Sequence, residues 1–363
     1  MGRGKRSLIA AAVAAVCAVT VLTVPGTAFA APAPTPTPLP TTNPDLTLPP
    51  SSDTDLEAVR TRLDALYHDA AVATDAYNAA EEQAEKQSTE IVELAKKIAE
   101  GREALAGLKD RAGAAARAQY RGGGLPDEAK LVLSDSPGEF LDGAGRARQG
   151  QRATEGLLGE LTRTQQDLEQ YAKDASAQWQ KLEANRKAKA TAQKKVEQQI
   201  AAAEKLESEL EQEERDRLTR LQEQAAQRAQ TAWLDSGALA GVDSQAGPQG
   251  EQAIAYATAQ LGKPYVWGAE GPESFDCSGL TSQAWASAGV QVPRTSQEQW
   301  RQLTRVDVKD MRPGDLIVYF DDASHIALYL GDGKMIHAPR PGRTITVAGA
   351  GSMPILGVVR PDA

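Results

Sequence analysis

The chain has 363 residues, 41% hydrophobic, 25% charged and 5% aromatic, with 40 Lys+Arg against 49 Asp+Glu for a net charge of −9. This length suggests two or three domains, and an acidic balance without a long basic patch argues against nucleic acid as the main partner. Two cysteines and three histidines exclude a zinc-finger array or a disulfide-stapled scaffold. The aromatic residues concentrate late, with Trp267, Trp285 and Trp300 in the last third and Trp233 just before it. Only the C-terminal third has the content of an ordinary packed core.

Arg3, Lys5 and Arg6 precede an apolar run from Leu8 to Val24, followed by Pro25-Gly26-Thr27-Ala28-Phe29-Ala30. The pattern predicts a secretory signal peptide over 1–30, cleaved after Ala30, in preference to a membrane anchor. Cys17 would leave with it, so the mature chain would keep one thiol, Cys277, and would be secreted and extracellular. A Pro/Thr-rich linker is expected over 31–52.

From Leu56 two apolar series interleave at alternating spacings of three and four. One runs Leu56, Leu63, Ala70, Tyr77, Ala84, Ile91, Ile98, Leu105, Ala112. The other runs Val59, Leu66, Ala73, Ala80, Gln87, Leu94, Gly101, Leu108, Ala115, with only Gln87 and Gly101 polar or bare. This predicts a coiled-coil seam about 95 Å long. Gly122-Gly123-Gly124 and Pro126 should end the helix. A second, less regular helical stretch is predicted from about 146 to 235. The two suggest a helical hairpin over 53–235 with its tip near 120–145, and an intermolecular coiled coil is the alternative. A linker at 236–249 then leads to a mixed helix-and-strand domain over 250–363.

The chemistry gathers in that last domain. Asp276 is a natural N-cap for a helix opening at Cys277, where the helix dipole favours a thiolate. His325 begins an apolar strand that turns at Gly331-Asp332-Gly333 and returns through Lys334-Met335-Ile336-His337. A hairpin can put His325 and His337 on one face. A thiol, a base and a group to orient the base make a triad. Each residue alone would more often be a core passenger. Together, in one small domain, they point to a site. The same three could bind zinc, but C-x-x-C and H-x-x-x-H spacings are absent. His68, on the first long helix, is expected to be solvated.

Six segments in this order resemble the NlpC/P60 family of cysteine peptidases. They are Gly262-Lys263-Pro264-Tyr265-Val266-Trp267-Gly268, Phe275-Asp276-Cys277-Ser278-Gly279-Leu280, Val292-Pro293-Arg294-Thr295-Ser296, Arg312-Pro313-Gly314-Asp315-Leu316, the run His325 to Gly331, and Ile336-His337-Ala338. The resemblance covers about the last third of the chain. It implies an α+β, papain-like domain that hydrolyses cell-wall stem peptides, commonly between D-γ-glutamate and the diamino acid, with no cofactor. It makes Cys277 the nucleophile, His325 the general base and His337 its orienting partner. It puts Tyr265 near the oxyanion and substrate, with Ser278 and Arg294 as candidate substrate contacts. For Arg294 a structural ion pair is an equal reading, and Trp267 and Trp285 are expected in the core. The segment from Tyr120 to Leu141 resembles the hairpin tip of secreted division hydrolases, a group associated with the extracellular part of the FtsEX transporter. The leading expectation is therefore a regulated peptidoglycan endopeptidase whose hairpin, or the 236–249 linker, restrains access to Cys277. The alternatives are a wall-associated scaffold that binds muropeptide without cutting it, and an amidase or transferase acting on another acyl substrate.

Overall fold

The computed structural model describes residues 53–121, 129, 133, 136–240 and 245–363. The expected signal peptide, the linker over 31–52 and most of the expected hairpin tip lie outside the described residues. Among the described residues, no helix is long and apolar enough to cross a membrane.

Three helices come first: α1 (Asp53–Arg121), α2 (Pro137–Ser208) and α3 (Gln212–Asp235). The predicted second stretch is thus two helices, and the first of them starts earlier than expected. The break falls at 209–211, where Glu211 and Glu214 form a capping box that starts α3 afresh. The chain divides into two compact units, Ser88–Trp179 in one and Leu46–Gln87 with Gln180–Ala363 in the other. The division falls inside α1 and α2, and the first part of α1 groups with the C-terminal domain.

Within the first unit α1 and α2 run antiparallel. Lys97 lies over the Tyr171 ring at 5.7 Å, and Arg111 pairs with Glu160 at 3.7 Å. Gly101, the bare seam position, is filled from across by Leu168, whose Cδ2 would lie 2.8 Å from a Cβ placed there. In the second unit the same antiparallel order holds. Lys189 pairs with Glu81 at 2.5 Å, and Asn185 donates to the polar seam residue Gln87 at 2.9 Å. Leu56, Val59, Leu63 and Leu66 form a closed core with Ala203, Leu210 and Leu218. The predicted seam is buried over its first turns, becomes partly buried further along and ends at the exposed Ala115, and its two exceptions each have a partner.

Three short helices and one sheet make the C-terminal domain: α4 (Pro248–Thr258), α5 (Cys277–Ser287), α6 (Ser296–Gln302), β1 (Thr304–Val306), β2 (Leu316–Tyr319), β3 (His325–Gly331), β4 (Lys334–His337), β5 (Thr346–Gly349) and β6 (Ile355–Arg360). The six strands pair antiparallel in the order β1-β6-β2-β3-β4-β5. Both faces are apolar, with the alternation a pleated strand requires. Leu316, Val318, Ile326, Leu328 and Ile336 pack under α4 and α5 with Ala253, Ala257, Leu280 and Trp285. Ile317, Tyr319, Ala327, Tyr329 and Met335 face the other way and are covered in part by Trp233 and Leu239. Gln230 of α3 secures that cover, donating to Gly333 O at 3.1 Å and accepting from Gly351 N at 2.6 Å. The β3–β4 turn has Asp332 at φ 51° and Gly333 at φ 68°. Two positive φ values are what a tight two-residue hairpin turn needs, and Asp-Gly supplies them at low strain.

Leu63 is fully buried in the core shared by α1 with α2 and α3. Leu63→Ala should destabilise this unit by about 2–5 kcal/mol, read as a lower urea midpoint for the helical signal.

Candidate active site

Cys277 is the first residue of α5. Asp276 caps the helix by accepting from Gly279 N at 2.7 Å, which fixes the first turn and so the direction of the thiol. Gly279 is required here, because a side chain would run into the Ala269 carbonyl. The Asp276 carboxylate holds more than the cap. It accepts from Gly268 N at 3.0 Å, from Arg294 at 2.7 and 3.1 Å, and from Asn78 Nδ2 of α1 at 3.1 Å. Arg294 also donates to Ser278 Oγ at 3.0 Å and pairs with Glu270 at 2.7 Å. In this state Arg294 is a structural ion pair. Ser278 is fully buried in the same network.

Across from α5, β3 brings His325 to its first position and β4 brings His337 to its last. His325 Nε2 and His337 Nδ1 lie 2.9 Å apart, so one ring proton is shared between them. The backbones of Ser278 and of Ile326, the residue after His325, act on the thiol in the direction that favours its ionisation. The helix that opens at Cys277 packs against β3.

The state of these groups differs from the sequence expectation. The helix dipole alone favours a thiolate. Here burial pushes the Cys277 thiol well above its ordinary range, and the nearby Asp75 and Asp276 carboxyls push it further. Desolvation likewise holds His337 down at about 4 and His325 well below its usual value, His325 also through the adjacent His337. A neutral thiol therefore faces neutral imidazoles. Exposures of 5% for Cys277, 5% for His325 and 7% for His337 explain why.

The cover is α1. Thr74, Asp75 and Asn78 are almost fully buried. Thr74 donates to Ala70 O at 2.9 Å and acts on the hydroxyl of Tyr265, the tyrosine expected near the substrate. Ser296 Oγ lies 2.7 Å from Asp75 Oδ2. Tyr77 stacks edge-on against Trp267 at 5.1 Å. His68, expected to be solvated, instead contacts Asp322 at 3.1 Å and Ser324 at 3.3 Å and packs on Phe320. Its side chain stays 35% exposed, and these contacts arise because α1 carries a second contact face beside its seam. One signal for that face was legible: Thr, Asp and Asn cluster at 74, 75 and 78 in a helix otherwise rich in Ala, Glu and Lys. These residues are poor helix formers and favour other partners for their side chains.

Residues 262–352 match the family model described as NlpC/P60 family. The C-terminal region is an NlpC/P60 domain. The chain is 38% identical over 140 residues to a protein of Corynebacterium glutamicum (strain R) named "Probable endopeptidase", a match covering 39% of this chain and 66% of that one. It is 47% identical over 92 residues to "Probable endopeptidase p60" of Listeria monocytogenes, covering 24% of this chain and 19% of that one. It thus spans less than two thirds of these relatives. Among solved structures, the NlpC/p60 domain of peptidoglycan hydrolase SagA aligns with 32% identity and a TM-score of 0.29, over 31% of this chain and 97% of that one. The matched region contains Tyr265, Cys277, Ser278, Arg294, His325 and His337. None of Thr74, Asp75, Asn78 or His68 lies within it.

A bulky residue at position 74 should lift α1 from the NlpC/P60 domain and rehydrate the thiol. Thr74→Trp is expected to raise the rate of Cys277 alkylation by iodoacetamide at pH 7.5 by about tenfold or more, the effect of one unit of thiol pKa. Cys277→Ala supplies the blank.

Proposed function

We propose that the chain is a secreted, cell-wall-associated peptidoglycan endopeptidase held closed by α1. It cuts stem peptides at the D-γ-glutamyl–diamino acid bond with Cys277, His325 and His337. The observations that carry this reading are a thiol at a helix N-terminus that packs against the strand beginning at His325, and the 2.9 Å hydrogen bond joining His325 to His337. The family match and the endopeptidase names of the relatives support it.

Chemistry requires opening first. With α1 lifted, water returns and the Asp75 carboxyl withdraws, so the thiol falls toward its ordinary range. His325 Nε2 is taken by His337, which leaves Nδ1 to accept the thiol proton. The imidazolium that forms is oriented and stabilised by His337. The thiolate attacks the γ-carbonyl carbon of glutamate. The developing oxyanion meets the Cys277 N–H, which lies in the first helical turn where backbone donors have no intrahelical partner. Collapse breaks the C–N bond as His325 returns its proton to the departing amine, and water then hydrolyses the thioester. Tyr265, freed from Thr74, lines the substrate side. Arg294 keeps Asp276 and Ser278 in place. The hairpin tip, from Tyr120 to Leu141, is the proposed contact for an FtsEX-type membrane complex that would shift α1. Tyr120 and Leu141 are both exposed apolar side chains.

The test is product analysis by mass spectrometry of defined muropeptides incubated with residues 31–363. Slow cleavage after D-glutamate is expected, abolished by Cys277→Ala and by His325→Ala, and raised about tenfold or more by Thr74→Trp. Equal turnover with and without Thr74→Trp would remove the restraint. A correctly folded Thr74→Trp chain that binds muropeptide without cutting it would favour a binding module.

A further inference from the structure

The contact between Asp75 and Ser296 raises a question of proton count. Ser296 Oγ lies 2.7 Å from Asp75 Oδ2 and 2.6 Å from the Ala323 carbonyl oxygen. A serine hydroxyl has one hydrogen, and a carbonyl can only accept. The two contacts are both within O–H···O range, so they need two hydrogens. If Ser296 donates to Ala323, the second must come from Asp75. The surroundings agree. Asp276 already takes the two-pronged pairing of Arg294, which also serves Glu270. Asp75 is nearly fully buried beside Cys277 and Asp276, and no ion pair to it is found among the described residues. A second buried carboxylate there would have only Arg294, already paired with Asp276 and Glu270, as a countercharge.

We infer that α1 is seated on the active site through Asp75 held as a neutral acid, donating to Ser296, so that opening the site releases a proton and acid keeps it shut. This deepens the reading of α1 as a cover and rests on it. On opening, the Asp75 O–H bond breaks, the electron pair stays on the carboxylate and the proton passes to water. Burial raises the Asp75 carboxyl from 3.8 to about 7. The sign follows from that direction. Between about 4 and 7 the closed state binds a proton that the open state has lost, so opening becomes easier by up to about tenfold per pH unit. Above about 7 both states are ionised and the dependence levels off.

Other titratable groups share the region. From α5 come Cys277 and Asp276, from the segment before it Tyr265, and from the segment before α6 Arg294. From the hairpin come His325 and His337, whose lowered values act in the opposite sense, favouring opening in acid. One turn of helix and more away, His68 of α1 faces Asp322. The contribution of Asp75 is therefore isolated by its own isostere. The side chain introduced by Asp75→Asn cannot ionise, yet its amide can donate to Ser296 Oγ as the acid does.

The experiment is hydrogen–deuterium exchange of peptides covering 67–78 in the full chain from pH 5 to 8, corrected for intrinsic rates. It is run on the wild type, Asp75→Asn and His68→Gln. The ratio of wild-type to Asp75→Asn opening should rise by about tenfold or more between pH 5 and 7 and then flatten. His68→Gln should keep that slope. A ratio constant with pH would overturn the inference. So would a slope lost with His68→Gln, or an Asp75→Asn chain that opens more readily than wild type at pH 8, as a simple lost contact would. Near-UV circular dichroism checks the fold. If Asp75→Asn does not fold, Ser296→Ala takes its place: removing the acceptor of the acid proton should raise opening at pH 5 and flatten the slope, and an unchanged slope would overturn the inference. Exchange does not depend on peptide cleavage. An inactive chain whose protection still titrates would sink the hydrolase reading alone, and an active chain whose protection ignores Asp75 would sink this one alone.

Discussion

The Asp276 carboxylate ties the site together. Its oxygens accept the cap hydrogen bond from Gly279, the Gly268 amide, the Arg294 guanidinium and the Asn78 amide. These donors come from α5, from the segment carrying Tyr265 and Trp267, from the approach to α6, and from α1. A buried carboxylate needs such an array, because each missing donor leaves part of its charge uncompensated. The need fixes the first turn of α5 and with it the thiol. It also gives α1 a place to dock, since Asn78 supplies a hydrogen bond from outside the NlpC/P60 domain.

The docking sets the electrostatics. Ordinarily a thiol at a helix N-terminus beside histidine is poised toward thiolate. Here the same thiol is buried under Thr74, Asp75 and Asn78, and desolvation outweighs the dipole. The histidine pair is held neutral by the same exclusion of water. The thiol and the histidine pair are both held neutral by burial. A helix that restores water on leaving can switch both without moving either.

Much of this was legible in the sequence. The interleaved series from Leu56 located the buried seam of α1 as far as Leu108, because a stripe at alternating three and four spacing falls on one side of a helix. Gly331-Asp332-Gly333 located the hairpin, and its register brings His325 and His337 together. The break between α2 and α3 was not legible, since the apolar positions continue through it and the capping pair Glu211 and Glu214 reads as ordinary surface charge. The second face of α1 was missed for a related reason. His68 and Asp75 look like solvated charges on a helix whose seam is already complete, and the partners that contact them, Asp322, Ser324 and Ser296, lie more than two hundred residues away. The thiol expectation failed because a local feature, the helix dipole, was weighed without the remote cover.

The central claim is that α1 and the substrate compete for one surface. The most direct measurement is hydrogen–deuterium exchange of residues 67–78 in the full-length Cys277→Ala chain, with and without saturating muropeptide at constant pH. Competition requires these amides to exchange faster as muropeptide binds, in step with occupancy. Binding that leaves their protection unchanged would mean that α1 does not cover the substrate site.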